Sequence, residues 1–285
     1  MTRQSSSPIV DSMPNSPFNA TLLKRVDLND ELAVFHVKPD TGPIPSFEPG
    51  QFATLGLLPG PEDDPPVNPD SPSAKRKGPR LIRRAYSIAS PPSQTDHMAF
   101  YIVRVDEGKL TPKLWRLEPG DPIFLGEKIA GKFTLTPVPE GKDLVMIGTG
   151  TGLAPYLSMY HQYRGTGRWR KFILIEGCRL ARDLGYLREL EQTAQQNEDF
   201  IYLPTVTREP DDAPWPGLRG RVNTAIEPER YQELVGTPLT PEHCHVFLCG
   251  NPQMIDQCEA NLIERGFVTE DRKHPEGNIH LERYW

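Results

Sequence analysis

Hydrophobic and polar positions divide the chain into two unlike textures. Through residues 20–26, 31–37, 51–57, 84–90, 98–105 and 122–125, apolar side chains come in short alternating runs. Turn residues such as Asp27-Leu28-Asn29-Asp30 and Pro119-Gly120-Asp121 separate them. Successive side chains of a strand point to opposite faces, so this half predicts short antiparallel strands that close into a small barrel. A short helix is expected over 111–117, and the stretch 131–135 completes the half. After Pro137-Val138-Pro139 the texture changes. Continuous apolar runs at 143–147, 171–175, 200–203 and 245–250 alternate with helical spacing at 156–161, 187–196 and 252–265. Alternating strand and helix predicts a parallel sheet covered by helices, with functional groups gathered at the carboxyl ends of its strands. The expected architecture is therefore an antiparallel β-barrel domain over 17–138, then an α/β parallel-sheet nucleotide-binding domain over 139–285. A flexible segment is expected over 1–16 and an inserted loop over 58–82.

Composition narrows the classes. A length of 285 residues suits two domains, and 25% charged with 37% hydrophobic residues describes a soluble globular chain. No apolar run approaches the roughly 20 residues that span a bilayer. The first residues lack the apolar core of a secretory signal, so a cytoplasmic protein is expected. A net charge of −6 argues against nucleic acid as a partner. Cys178, Cys244, Cys249 and Cys258 show no metal-ligand spacing, so neither zinc nor an iron–sulfur cluster is expected. The inserted loop is acidic and proline-rich at its start and basic at Lys75, Arg76, Lys77 and Arg80. Its basic end reads either as solvated surface or as a contact for an acidic protein.

Candidate chemistry centres on Ile147-Gly148-Thr149-Gly150-Thr151-Gly152-Leu153-Ala154-Pro155. An apolar strand precedes this stretch and a helix follows, the arrangement that aims backbone N–H groups and a positive dipole end at a phosphate. Leu153 and Ala154 exclude the P-loop pattern, and Leu153 stands where the dinucleotide fingerprint wants a third glycine. Three further strand ends release polar residues: Glu176-Gly177-Cys178-Arg179, Thr205-Val206-Thr207-Arg208 and Cys249-Gly250-Asn251-Pro252. Arg179 and Arg208, with Arg221, are either ordinary surface cations or a seat for a phosphate monoester, which the planar guanidinium suits. Cys249 is either an inert buried thiol or a small soft side chain lining a ring pocket. Arg84-Ala85-Tyr86-Ser87 reads blandly as an edge strand; read functionally, it offers a cation, a stacking ring and a hydroxyl. The terminal Glu282-Arg283-Tyr284-Trp285 must pack its aromatics on the barrel or on a flat ligand.

Taken in order, these motifs resemble the bacterial ferredoxin/flavodoxin–NADP⁺ reductase family over nearly the whole chain. The resemblance implies FAD held by a six-stranded barrel and NADP(H) held by the parallel sheet. Arg84 and Ala85 would meet FAD, Arg84 through its phosphate; Tyr86 would stack on the flavin and Ser87 would approach flavin N5. Tyr101 and Val103 are implied as further FAD contacts, and Gly131, Lys132, Phe133 and Thr134 as a turn offering backbone donors to the FAD pyrophosphate. Gly148, Thr149, Gly150, Thr151 and Gly152 would cradle the NADP pyrophosphate, Arg179, Arg208 and Arg221 would read its 2′-phosphate, and Thr207 would be a further cofactor contact. Cys249, with Gly250 beside it, would touch the nicotinamide. Tyr284 would cover the opposite flavin face, Trp285 would pack on the adenine, and Glu282 would be the acid near the transfer site. The inserted loop departs from the family's bacterial pattern by its length.

The implied reaction is hydride transfer from NADPH to flavin, then single-electron transfer to ferredoxin or flavodoxin in a transient electrostatic complex, by a monomer. Two other readings are a reductase component of an oxygenase system and a flavin-binding module without turnover.

Overall fold

The computed structural model describes residues 16–60, 63 and 81–284. Residues 1–15, most of the expected inserted loop and Trp285 lie outside the described residues.

Six strands build the first half: β1 (Ala20–Asn29), β2 (Leu32–Pro39), β3 (Phe52–Leu57), β4 (Ile82–Ser87), β5 (Met98–Val103) and β6 (Pro122–Leu125). They form one antiparallel sheet in the order β4-β3-β6-β1-β2-β5. A bridge between Ile88 and Phe100 joins the two outer strands and curls the sheet closed. The alternation now has its physical sense. Leu22, Phe35, Leu55, Phe100, Ile102 and Ile123 fill the inside, each worth roughly 1.5–3 kcal/mol on burial. Helix α1 (Thr111–Leu114) is shorter than the expected span. The stretch 131–135 is not a strand of the barrel; instead Phe133 and Leu135 are buried where the two halves meet.

The second half runs β7 (Asp143–Thr149), α2 (Ala154–Tyr163), β8 (Lys171–Cys178), α3 (Leu187–Gln196), β9 (Phe200–Val206), β10 (Leu218–Arg219), α4 (Val222–Ala225), α5 (Pro228–Val235), β11 (Cys244–Gly250), α6 (Pro252–Glu264) and β12 (Ile279–Arg283). All six strands pair in parallel, in the order β10-β9-β8-β7-β11-β12. Both faces are covered, which explains why the strands read as unbroken apolar runs. Leu144, Met146, Phe172, Leu174 and Phe247 face α2, α3 and the barrel. Val145, Ile147, Ile173, Ile175 and Leu248 face α4, α5 and α6.

Chain order reverses around β7, which lies between β8 and β11. Ligands of such sheets bind in the crevice at that switch point. One apolar cluster joins the halves there: Leu32, Val34, Tyr101 and Phe133 pack with Met146, Tyr156 and Phe247. Phe133 meets Phe247 edge-on at 5.3 Å between ring centres. Sequence reading found neither β10, α4 and α5 nor β12, the edge strand that carries Glu282.

Candidate functional site

The glycine stretch leaves β7 at the switch point and enters α2 through one 3₁₀ turn, Gly150–Leu153, with Pro155 in the first helical turn. The Tyr156 hydroxyl reaches back to the carbonyls of Ile147 and Phe247, 2.9 Å each, and ties the helix start to two strands. The glycines divide this work. Gly148 and Gly152 permit close packing: a Cβ on the first would press on the Tyr156 ring, and on the second it would collide with the Cys249 carbonyl. Gly150, at φ +53°, has nothing within 4 Å of where a Cβ would stand. Thr149, Gly150 and Thr151 border a cavity of about 1040 Å³.

Arg179, Thr207, Arg208 and Arg221 border the same cavity. Backbone bonds bring their loops together: the Thr207 amide donates to the Cys178 carbonyl at 3.1 Å, and the Arg208 amide to the Arg179 carbonyl at 2.8 Å. All four side chains are exposed; the three guanidinium groups face outward, whereas the Thr207 hydroxyl donates to the Cys178 carbonyl at 3.3 Å.

At the opposite flank four side chains from both halves converge. The Tyr284 hydroxyl donates to Ser87 Oγ at 2.9 Å, and the Ser87 hydroxyl donates to Glu282 Oε2 at 3.2 Å. The Cys249 thiol faces the same carboxylate oxygen at 3.8 Å. Burial pushes the Glu282 carboxyl up to about 7, against the opposing pull of Ser87 and Cys249. Burial, then the nearby Glu282, holds the Cys249 thiol well above its ordinary value. Cys249 is therefore a neutral thiol, fully buried; Gly250 and Tyr284 border the cavity in front of it.

The barrel residues divide into three groups. Arg84 and Ala85, with Arg83 and Lys128, border a second cavity of about 520 Å³. Tyr86 packs against the barrel core, its hydroxyl pushed up to about 12 chiefly by burial. Val103 borders the large cavity. Tyr101 turns elsewhere: its hydroxyl accepts the Gly185 N–H at 3.3 Å and its ring meets Tyr186 edge-on. Gly131, Lys132, Phe133 and Thr134 border neither cavity. Their turn backs onto Gly50, where any Cβ would collide with the Phe133 carbonyl. Trp285 lies outside the described residues.

Sequence reasoning missed the wall formed by Gln253, Met254 and Gln257 of α6 and the barrel side formed by Glu31, Arg104 and Glu107. The first had a signal. Asn251 before Pro252 is a helix start, and its side chain accepts from the amides of Gln253 and Met254. The second had none, because that wall exists only once the halves meet.

The donor set suits two nucleotides. The bare backbone at Gly150 and the exposed arginines fit a dinucleotide phosphate, and the large cavity is of the size that holds such a ligand. The smaller cavity, rimmed by Arg83, Arg84 and Lys128, fits a diphosphate on the barrel side.

Fold and crevice together define a two-domain nucleotide-binding oxidoreductase. The family described as "Oxidoreductase NAD-binding domain" matches residues 146–260. A flavodoxin/ferredoxin–NADP reductase of Shigella flexneri is 34% identical over 243 residues, covering 85% of this chain and 90% of that one. A ferredoxin–NADP reductase of Azotobacter vinelandii is 32% identical over 264 residues, with 90% and 92% covered. The solved ferredoxin NADP⁺ reductase of Neisseria gonorrhoeae with bound FAD and NADP superposes with a TM-score of 0.79 at 26% identity, covering 95% of this chain and 100% of that one. The chain belongs to the flavodoxin/ferredoxin–NADP reductase family.

Proposed function

We propose that the chain is an FAD-dependent ferredoxin–NADP⁺ reductase, moving a hydride between NADP(H) and flavin and single electrons between flavin and ferredoxin or flavodoxin. The observation that carries this reading is the hydrogen-bond chain from Tyr284 through Ser87 to Glu282, which ties barrel strand β4 to the carboxyl end of β12 at the mouth of the crevice.

FAD, when bound, supplies a ring that accepts two electrons as a hydride and releases them one at a time. The protein's part is placement. In the barrel, taken as 17–138, Arg84 would neutralise the FAD diphosphate and Tyr86 and Tyr284 would lie against the flavin, while the 131–134 turn, set back from both cavities, would offer backbone donors. In the sheet domain, taken as 139–285, Thr149, Gly150 and Thr151 seat the coenzyme pyrophosphate. Arg179, Thr207, Arg208 and Arg221 select the 2′-phosphate. Tyr284 stands where a nicotinamide must lie, so it has to move aside, a gating step. Once it moves, Cys249 and Glu282 are the first groups behind it. Ser87 is oriented by both neighbours: it accepts from Tyr284 and donates to Glu282, which fixes where its oxygen lies. The barrel–sheet contact behind these groups would keep water from the two rings and hold them for reaction.

No helix among the described residues is long and apolar enough to cross a membrane. The protein acts in the cytoplasm as a monomer and meets its electron carrier transiently, through exposed surface charge. The test is direct. FAD-loaded protein and NADPH are mixed anaerobically with oxidised ferredoxin or flavodoxin, and the carrier's spectrum is followed. Reduction that slows as salt is raised supports the assignment; a carrier that stays oxidised while NADPH is present overturns it.

A further inference from the structure

Tyr284 is held by one ordinary and two long hydrogen bonds on its own side of the tail. Its amide donates to the Gly250 carbonyl at 3.3 Å. Its hydroxyl reaches Ser87 at 2.9 Å and the Thr151 carbonyl at 3.4 Å. Side chains alternate along an extended strand, so Glu282 and Tyr284 face Ser87 together while Arg283, between them, points the other way. There it grips α6. One guanidinium nitrogen lies 2.9 Å from Asp256 Oδ1 and 3.1 Å from Glu259 Oε2. Asp256 and Glu259 are three residues apart and share one helix face. Glu259 is braced in turn by the Thr269 hydroxyl, 2.7 Å from its other oxygen. The same helix presents Gln253, Met254 and Gln257 to the cavity.

We propose that Arg283 is a positioning residue: by clamping the end of β12 to α6 it holds Tyr284 at the mouth of the crevice and sets how readily a coenzyme pushes it aside. The proposal rests on the reading of Tyr284 as the residue a nicotinamide displaces. Displacement breaks the bonds to Ser87, Thr151 and Gly250 and pulls the neighbouring end of β12 away from the two ion pairs that hold it to α6. Arg283 is thus the hold that the swing of Tyr284 must loosen. Removing it lets Tyr284 leave at lower cost, so a ligand that needs the vacated place binds more tightly, and a ligand that does not need it is unaffected.

The FAD-loaded Arg283→Gln variant is titrated separately with NADP⁺ and with adenosine 2′,5′-bisphosphate, which carries the phosphates but no nicotinamide. The ion pairs are partly exposed, with 41% of the Arg283 side chain open, so the effect is modest: NADP⁺ affinity rises about three- to tenfold. Affinity for the bisphosphate stays at the wild-type value. Asp256→Asn removes the clamp from the helix side and gives the same split, whereas Arg283→Lys stays close to wild type. If both ligands shift together, Arg283 merely keeps the crevice in shape; if neither shifts, it carries no part of the gate. Either result overturns the proposal. Wild-type protein that binds neither ligand would instead remove the coenzyme reading beneath it, and the clamp with that reading.

Discussion

The carboxyl edge of the parallel sheet carries two acids on opposite flanks of the glycine loop, Glu176 buried and Glu282 half-buried, and their fates differ. Register places them in one row: Glu282 beside Cys249, Cys249 beside Gly148, and Gly148 beside Glu176. Burial pushes both carboxyls up to about 7. Glu282 faces donors from two sides, Ser87 and Cys249, with Tyr284 one bond further out at the cavity. Glu176 is fully buried; one oxygen accepts the Tyr202 hydroxyl at 2.5 Å and the other has no partner. The same strand-end position therefore yields an acid beside the cavity where the sheet meets a hydroxyl-bearing barrel strand, and a sealed-in acid where it meets aromatic core. Neighbours, not position, decide the role.

The largest effect should come from the phosphate end of the edge, next to Glu176. Losing the charge-assisted bonds of Arg179 and Arg208 should cost roughly 1.5–3 kcal/mol each, so the double Ala variant should raise the KM for NADPH by two or more powers of ten. The KM for NADH, which has no 2′-phosphate, should barely change. Steady-state kinetics with both coenzymes check this, and an equal rise for both would dissolve the distinction between the two flanks.

Next comes Glu176 itself. Its carboxyl titrates at 4.5 ordinarily and at about 7 in the fold. A raised value means that the folded state prefers the proton, so its contribution is complete below 4.5 and is lost as pH rises through about 7. That loss is on the order of 3 kcal/mol at most. Glu176→Gln should therefore melt higher than wild type at pH 8 and no higher at pH 5, read by thermal unfolding, with turnover unchanged. A slower enzyme would show that the two acids are not as distinct as their contacts suggest.

Tyr284→Ser sharpens the other flank. It removes the ring from the place proposed for the nicotinamide and should raise NADP⁺ affinity about tenfold while letting NADH compete. Unchanged binding of both coenzymes in a titration would count against the gate. The smallest effect is on pH. Glu282 rises from 4.5 to about 7 in the fold; above that it is ionised and accepts the Ser87 proton, whereas below it a neutral carboxyl leaves that proton free for a ring nitrogen. Single-turnover flavin reduction should be severalfold faster at pH 6 than at pH 8, and Glu282→Gln should flatten the profile.

Legibility in the sequence followed chemistry that stays local. The apolar runs of β7, β8 and β11 and the Gly–Thr–Gly turn announce themselves without any partner, as does the Arg84–Ser87 strand. β12 was hidden because only Ile279 and Leu281 of its short run are apolar, and its other face carries His280 and Glu282. Those two are tolerated only through distant partners: Glu270 and His245 for the first, Ser87 and Cys249 for the second. The neighbours of Tyr101 were equally hidden, since Tyr186 and Gly185 reach its ring and hydroxyl only where the halves meet. Glu176 looked like an ordinary polar strand end, and only Tyr202 and the packed halves reveal it as buried.

The account depends on barrel and sheet meeting at one reacting place behind Tyr284. The most direct measurement is anaerobic stopped-flow mixing of the FAD-loaded protein with NADPH and, separately, with NADH. Rapid bleaching of the flavin at low NADPH, with NADH needing far higher concentration, is the predicted result. Flavin that stays yellow with NADPH, or bleaches equally with both, would contradict it.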